Sequence, residues 1–172
     1  MNLQETIHSI RPLDAAAMEQ AARRWDSIAK PLHSLGLLEE AVIRIAGIQR
    51  TARVSVSPRA LLVFCADNGV VAQGVTQTDQ SVTAIVAENF TKGQTSACVM
   101  AKKAGVDLIP VDIGVSREMK IPGLLQEKIR MGTGDLTQGP AMEREEAVRA
   151  LETGIRLARR LAKRGYRAIA TG

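Results

Sequence analysis

ALLVFCADNGVVAQGVTQTDQSVTAIVAENFTKG, residues 60–93, joins an apolar run, a glycine-punctuated polar loop and a helix. Residues 60–66 are short, continuously apolar and rich in β-compatible side chains, the pattern of a strand covered on both faces in a parallel sheet. Asp67 falls where that strand ends. From Val82 onward, Val82, Ile85, Val86 and Phe90 recur at helical spacing, so the chain leaves the strand, crosses the polar loop and returns along the sheet as a helix. Ligands of open α/β sheets bind at the carboxyl ends of the strands, which makes the loop after Asp67 the first candidate site. Gly69 and Gly74 give this loop backbone freedom. Thr76, Gln77, Thr78, Asp79 and Gln80 supply donors and acceptors without bulk, a set suited to the edges of a flat heterocycle. Asp79 is expected to cap the helix that begins near Ser81.

Working outward, residues 106–113 form a second apolar run that ends at Asp112 as the first ends at Asp67. Crossover geometry brings successive parallel strand ends to one edge of the sheet, so two carboxylates are expected side by side. Asp112 can then orient a ligand or a catalytic loop, or simply cap and hydrogen-bond a loop of its own. Pro110 cannot donate to a ladder, which implies a bulge or an edge position there. Between the strands, Lys92 and Gly93 interrupt the helical region before a further helix over residues 95–104. Lys92 has two readings, a phosphate contact or a solvated lysine near a helix end. Residues 115–142 are irregular. MGTGDLTQGP within them has glycines but follows no clear strand, so it makes a weak phosphate-loop candidate. Glu143, Glu145 and Glu146 open a long helix closed by Arg159, Arg160, Lys163 and Arg164, an order that complements the helix dipole. Residues 166–170 read as a third strand.

The predicted class is therefore α/β: a parallel Rossmann-like sheet with flanking helices. Before it lie two amphipathic stretches, residues 14–30 with Asp14 as N-cap and residues 37–48, which predict an N-terminal helical hairpin. The expected division is a helical segment over residues 1–50 and an α/β domain over residues 51–172. KPLHSLG, between the two helices, has two readings, a functional group of Lys30, His33 and Ser34 or, preferred, a helix stop and restart, and His33 has no visible carboxylate or metal partner.

The chain has 172 residues, 45% hydrophobic content and formal net charge +5. It is long enough for a sizeable core, and no stretch approaches a membrane span. The N-terminus lacks the basic start and apolar core of a signal peptide, so a cytoplasmic protein is expected. Cys65 and Cys98 have no metal-type spacing and read as buried thiols. The basic residues mostly share helices with acids. Aromatic residues are only 2% of the chain, too few for base-stacking platforms, so neither nucleic acid nor a membrane is an expected partner. No metal or cofactor is expected.

Several linked motifs carry a resemblance. CADNGV, GVTQTDQSVTAI and NFTKG in the central stretch, with AKPLHSLGLLEE upstream and AGVDLIPVDIGV, IPG and GPAM downstream, resemble the nicotinate-nucleotide:dimethylbenzimidazole phosphoribosyltransferase family. That resemblance runs over nearly the whole chain, from about Leu13 to Gly172. It implies transfer of phosphoribose from nicotinate mononucleotide to 5,6-dimethylbenzimidazole or a related base, releasing nicotinate, in cobamide lower-ligand synthesis by a homodimer. Matched residue by residue, Asp67, Asn68 and Gly69 fall on the family's aspartate-histidine-glycine-like turn, with Asn68 in place of the histidine. Thr78 and Gln80 fall in the segment bordering the acceptor base, and Val86 stands where some relatives carry glutamine. Asp112 and Lys92 are possible supporting residues. The family's phosphate-binding turn and its catalytic glutamate are expected beyond Gly172, so the resemblance implies no general base in this chain and an α/β domain truncated at its C-terminal end. The alternative reading is a non-catalytic nucleotide-binding half-protein that needs a partner chain. A dinucleotide oxidoreductase is disfavoured, because no G-x-G-x-x-G follows either strand.

Overall fold

The structure, a computed structural model, describes residues 2–172. The chain divides into two compact units, one of Glu5–Val56 and one of residues 2–4 with Ser57–Gly172. A six-residue helix, α1 (Leu3–His8), spans the division.

The smaller unit is built on α2 (Ala15–Asp26) and α3 (Leu37–Gln49), which pack against each other. Asp14 caps α2 as its residue type predicts, its Oδ1 accepting from Ala17 N–H at 2.9 Å. The helix stops at Asp26, four residues short of the predicted Lys30. Pro31 disfavours helical backbone at Lys30, and the Lys30 ammonium turns inward to Glu39 Oε1 at 2.8 Å, 5.7 Å from the Trp25 ring centre. Glu39 also accepts from Leu35 N–H at 3.1 Å, and the adjacent Lys30 ammonium holds its carboxyl below the usual range. A buried ion pair thus fastens the KPLHSLG turn. His33, at φ 56°, is a turn residue.

The larger unit holds a four-stranded parallel sheet in the order β3-β2-β1-β4, with β1 Arg59–Ala66, β2 Val106–Gly114, β3 Leu125–Gln126 and β4 Ala168–Thr171. Side chains of β1 alternate between its faces, as a strand's geometry requires. Cys65 and Val63 face a cluster with Ala84 and Ala87 of α4 (Ser81–Thr91), while Ala60, Leu62 and Phe64 pack with Leu157 and Leu161 of α6 (Arg144–Lys163). The continuous apolar run is thus the mark of a strand buried twice over. Alanines at 84 and 87 keep α4 slender where it meets the sheet.

One predicted boundary shifts. The last strand begins at Ala168 rather than Tyr166, because Tyr166 turns to donate its hydroxyl to Asp107 Oδ2 at 2.6 Å. Pro110 sits inside β2, opposite Val63, and the register slips three residues later, where Asp112 pairs with Cys65 but Gly114 with Ala66. β3 pairs only with Val111 and Asp112, so β2 has no ladder on that side at Pro110 and the missing N–H costs nothing. Between β1 and β2, α4 is followed by α5 (Ser96–Ala104), capped by Thr95 Oγ1 and ended by Gly105 at φ +64°.

Candidate active site

The order β3-β2-β1-β4 reverses direction at β1, since the chain moves outward from β1 to β2 and β3 and later returns to the other side of β1 as β4. Such a reversal opens a crevice at the carboxyl ends of the strands concerned. The carboxyl end of β1 is Asp67.

Both strand-end carboxylates are buried, Asp67 at 2% exposure and Asp112 at 0%. Each is held by main-chain N–H groups of the turn that follows β2. Asp112 Oδ1 accepts from Val115 N–H at 3.0 Å and Asp67 Oδ2 from Ser116 N–H at 2.7 Å. Asp112 Oδ2 lies 3.0 Å from the Lys128 ammonium, an ion-pair contact without the alignment of a hydrogen bond. The main chain of Asp67 adds two bonds, its N–H to Gly114 O at 3.1 Å and its carbonyl from Thr133 N–H at 2.9 Å. Of the two readings of Asp112, its contacts are those of loop organisation: it shapes the turn beside Asp67.

A cavity of about 360 Å³ opens above the end of β1, and Asp67, Asn68, Thr78, Gln80 and Val86 all line it. Val63, Val71, Val82 and Phe90 supply its apolar walls. Asn68 and Thr78 are exposed at its mouth and Val86 is half-buried. Gln80 occupies the N-cap position of α4 but makes no cap with its side chain; its amide donates instead to Asn68 O at 3.1 Å, closing the loop on itself. Capping falls to Asp79, whose Oδ1 accepts from Ser81 N–H at 2.8 Å and from the Ser81 hydroxyl. Those bonds, the hydroxyl's first, hold the Asp79 carboxyl below its ordinary value. Cys65 lies on the same cavity with its thiol pushed up to about 11, burial being the main cause and the charges of Asp112 and Asp67 lesser ones. It is a wall, not a nucleophile.

Besides Asp112, two predicted residues fall elsewhere. Gly69 opens a 3-10 turn, Gly69–Gln73, and lines a neighbouring cavity with Gln80, Met131, Gly132 and Thr133. Its role is contact between two loops: Gly69 N–H bonds to Thr133 Oγ1 at 3.1 Å, and a Cβ there would stand 2.6 Å from Thr133 O. Lys92 lies past the far end of α4, away from the cavity, with its ammonium 2.6 Å from Glu88 Oε1. It answers to the solvated-lysine reading.

Sequence reasoning did not single out Ser116, Lys128 or Thr133, although all three shape the turn around Asp67. The glycines of MGTGDLTQGP are the one signal that could have marked Thr133, and nothing local marks Lys128. Among the described residues no group of three or more His, Cys, Asp or Glu side chains could hold a metal, and no helix is long and apolar enough to cross a membrane.

Known proteins place this geometry. A family model described as Phosphoribosyltransferase matches residues 10–172. The nicotinate-nucleotide–dimethylbenzimidazole phosphoribosyltransferase of Ruminiclostridium cellulolyticum is 41% identical over 172 residues, all of this chain and 49% of that protein. The enzyme of the same name from Alkaliphilus metalliredigens is 42% identical over 99% of this chain and 49% of its own length. Two solved structures from Thermus thermophilus superpose closely. One, titled CobT, has a TM-score of 0.85 at 40% identity over 91% of this chain and 47% of its own. The other, titled as the phosphoribosyltransferase, has a TM-score of 0.87 at 40% identity over 93% and 49%. The chain spans about half the length of the curated relatives it matches. On matched sequence and shared fold, the chain belongs to the nicotinate-nucleotide–dimethylbenzimidazole phosphoribosyltransferase family.

Proposed function

We propose that this chain forms the acceptor-base wall of an enzyme that moves phosphoribose from nicotinate mononucleotide to 5,6-dimethylbenzimidazole or a related base. The observation that carries this reading is the cavity at the end of β1, where an apolar floor of Val63, Val82, Val86 and Phe90 lies under a polar rim of Asn68, Thr78 and Gln80. A flat, methylated bicyclic base has the same division, an apolar ring body and a nitrogen edge. Val86 makes the floor fit alkyl substituents better than hydroxyl ones, which would leave a buried polar group unpaired.

In the reaction, the bond from the ribose anomeric carbon to the pyridinium nitrogen breaks, and its electron pair neutralises the nicotinate ring. A ring nitrogen of the acceptor forms the new bond, and the acceptor's N–H proton leaves. Nicotinate departs from a cation, so the work of the protein is to position two substrates and to accept one proton. Asp67 and Asp112 are already committed to Ser116, Val115 and Lys128. The family resemblance implies that the accepting carboxylate is a glutamate expected beyond Gly172. The same reading includes the cytoplasmic homodimer expected from sequence.

Binding of 5,6-dimethylbenzimidazole to the purified chain, followed by titration calorimetry, tests the assignment. Gln80→Ala is expected to weaken that binding by about 0.5–1.5 kcal/mol, the worth of one neutral hydrogen bond, with little change in melting temperature. A folded Gln80→Ala variant with unchanged affinity would remove the cavity from consideration. Protection by nicotinate mononucleotide without any affinity for the base would favour a nucleotide-binding module instead.

A further inference from the structure

We propose that Lys128 and Asp112 are positioning residues that lock the turn after β2 and, through the Ser116 N–H, hold the Asp67 carboxylate in place on the acceptor cavity; this rests on the acceptor-site reading above. The Lys128 ammonium meets three oxygens at once: Asp112 Oδ2 at 3.0 Å, Arg117 O at 2.9 Å and Val115 O. Asp112 Oδ1 takes the Val115 N–H. Val115 is thus fixed at both its N–H and its carbonyl, Arg117 at its carbonyl, and Ser116 lies between them. Among the described residues, the hydrogen bond drawn to the Asp67 carboxylate is from that intervening Ser116 N–H, at 2.7 Å.

Two features set this arrangement apart from an ordinary buried ion pair. First, a buried pair is weak support for stability, because desolvation offsets its attraction, so its presence at a strand end asks for another reason. Second, the ammonium's hydrogen bonds go to main-chain carbonyls of one turn, a use that fixes backbone rather than pairing charge. A lysine ammonium can donate to two converging carbonyls while its charge faces a carboxylate, a geometry the flat fork of arginine does not match. Lys128 itself is held on a segment that runs beside β2, with Glu127 N–H on Asp112 O at 2.9 Å and Ile129 N–H on Ile113 O at 3.0 Å. The anchor therefore stands on the sheet, and the turn is tied to the anchor.

The test compares wild type with Lys128→Arg and with the double variant Asp112→Asn/Lys128→Met, which removes both charges and leaves neither buried alone. Amide hydrogen exchange at Ser116 and the dissociation constant for 5,6-dimethylbenzimidazole are read on each, with thermal unfolding as the control for folding. Both variants should melt near wild type yet show faster exchange at Ser116. Their affinity for the base should fall about tenfold, equivalent to about 1.4 kcal/mol. Wild-type exchange at Ser116 and wild-type base affinity in a folded double variant would overturn the proposal, leaving the pair as fold support alone. Should wild type itself not bind the base, the acceptor reading fails, and Ser116 exchange alone decides whether Lys128 fixes the turn.

Discussion

Gly69 shows how one residue type can be required by backbone rather than by ligand. A Cβ built there would lie 2.5 Å from Gly134 C, 2.6 Å from Thr133 O and 2.7 Å from Asp135 N, all main-chain atoms that cannot swing aside. Gly69→Ala must therefore part the two loops, at a cost of about 1–3 kcal/mol, and urea unfolding should show it. Gly74→Ala, at φ +71° with open space around it, should cost only about 1–2 kcal/mol of left-handed strain and leave the loops together. Cys65 makes a different prediction. Its thiol, raised from the usual 9.0 to about 11, is neutral in the folded protein at pH values where the unfolded chain already ionises. Its contribution is therefore fully present below pH 9.0 and is lost as pH rises toward 11. Thiol-disulfide reagents at pH 8 should label the half-buried Cys98 first and reach Cys65 only on unfolding; equal labelling of both in the native protein would show that Cys65 is accessible.

At the scale of elements, α6 is the plainest case of sequence dictating structure. Glu143 and Glu146 form a reciprocal capping box at its start, and Glu146 Oε2 accepts from Glu143 N–H at 3.0 Å. Leu157 and Leu161 are buried against the β1 face. Leu157→Ala should cost about 2–5 kcal/mol by emptying that contact, read as a lower denaturant midpoint with the cavity at β1 still able to bind. The longer elements were legible from pattern: α4 and α6 carry apolar residues at helical spacing, while β1 and β2 are continuous apolar runs bounded by polar loops. β3 was not, since two residues carry no period and Leu125–Gln126 is a strand only because Val111 and Asp112 lie beside it. The candidate site divides in the same way. Asp67 and Gln80 could be read from strand end and helix start and Val86 from the family resemblance, whereas Ser116, Lys128 and Thr133 reach Asp67 through contacts between segments about 50 or more residues apart, or through a partner that does so. Lys92 had a phosphate contact among its readings, yet it does not line the cavity that Phe90 walls, and its ammonium is paired with Glu88. Tertiary pairing has no signature in a local window.

At the scale of the whole molecule, the question is what these residues can do unaided. They provide one lined wall at the end of β1, two carboxylates already engaged in loop bonds, and a β4 edge with no strand partner among the described residues. A positioned general base is typically worth about 10² to 10⁴ in rate, and orientation of two substrates can be worth more. A chain holding only the acceptor wall should thus bind the base and still release no nicotinate above background when given nicotinate mononucleotide and 5,6-dimethylbenzimidazole. The exposed edge of β4 should also favour self-association, which sedimentation velocity would show as a concentration-dependent shift. Nicotinate release is the decisive measurement. Turnover near the ordinary enzyme value of about 10 per second would mean that the proton acceptor lies within these 172 residues. Asp67, Asp112 and Glu88 would then be the first carboxylates to replace by amides. Glu88 is the least promising of these, because its hydrogen bond from Lys92 lowers its affinity for a proton. Loss of turnover in Asp67→Asn but not in Asp112→Asn would move the chemistry onto the cavity wall, and would require Asp67 to hold the Ser116 N–H and receive a proton with the same carboxylate.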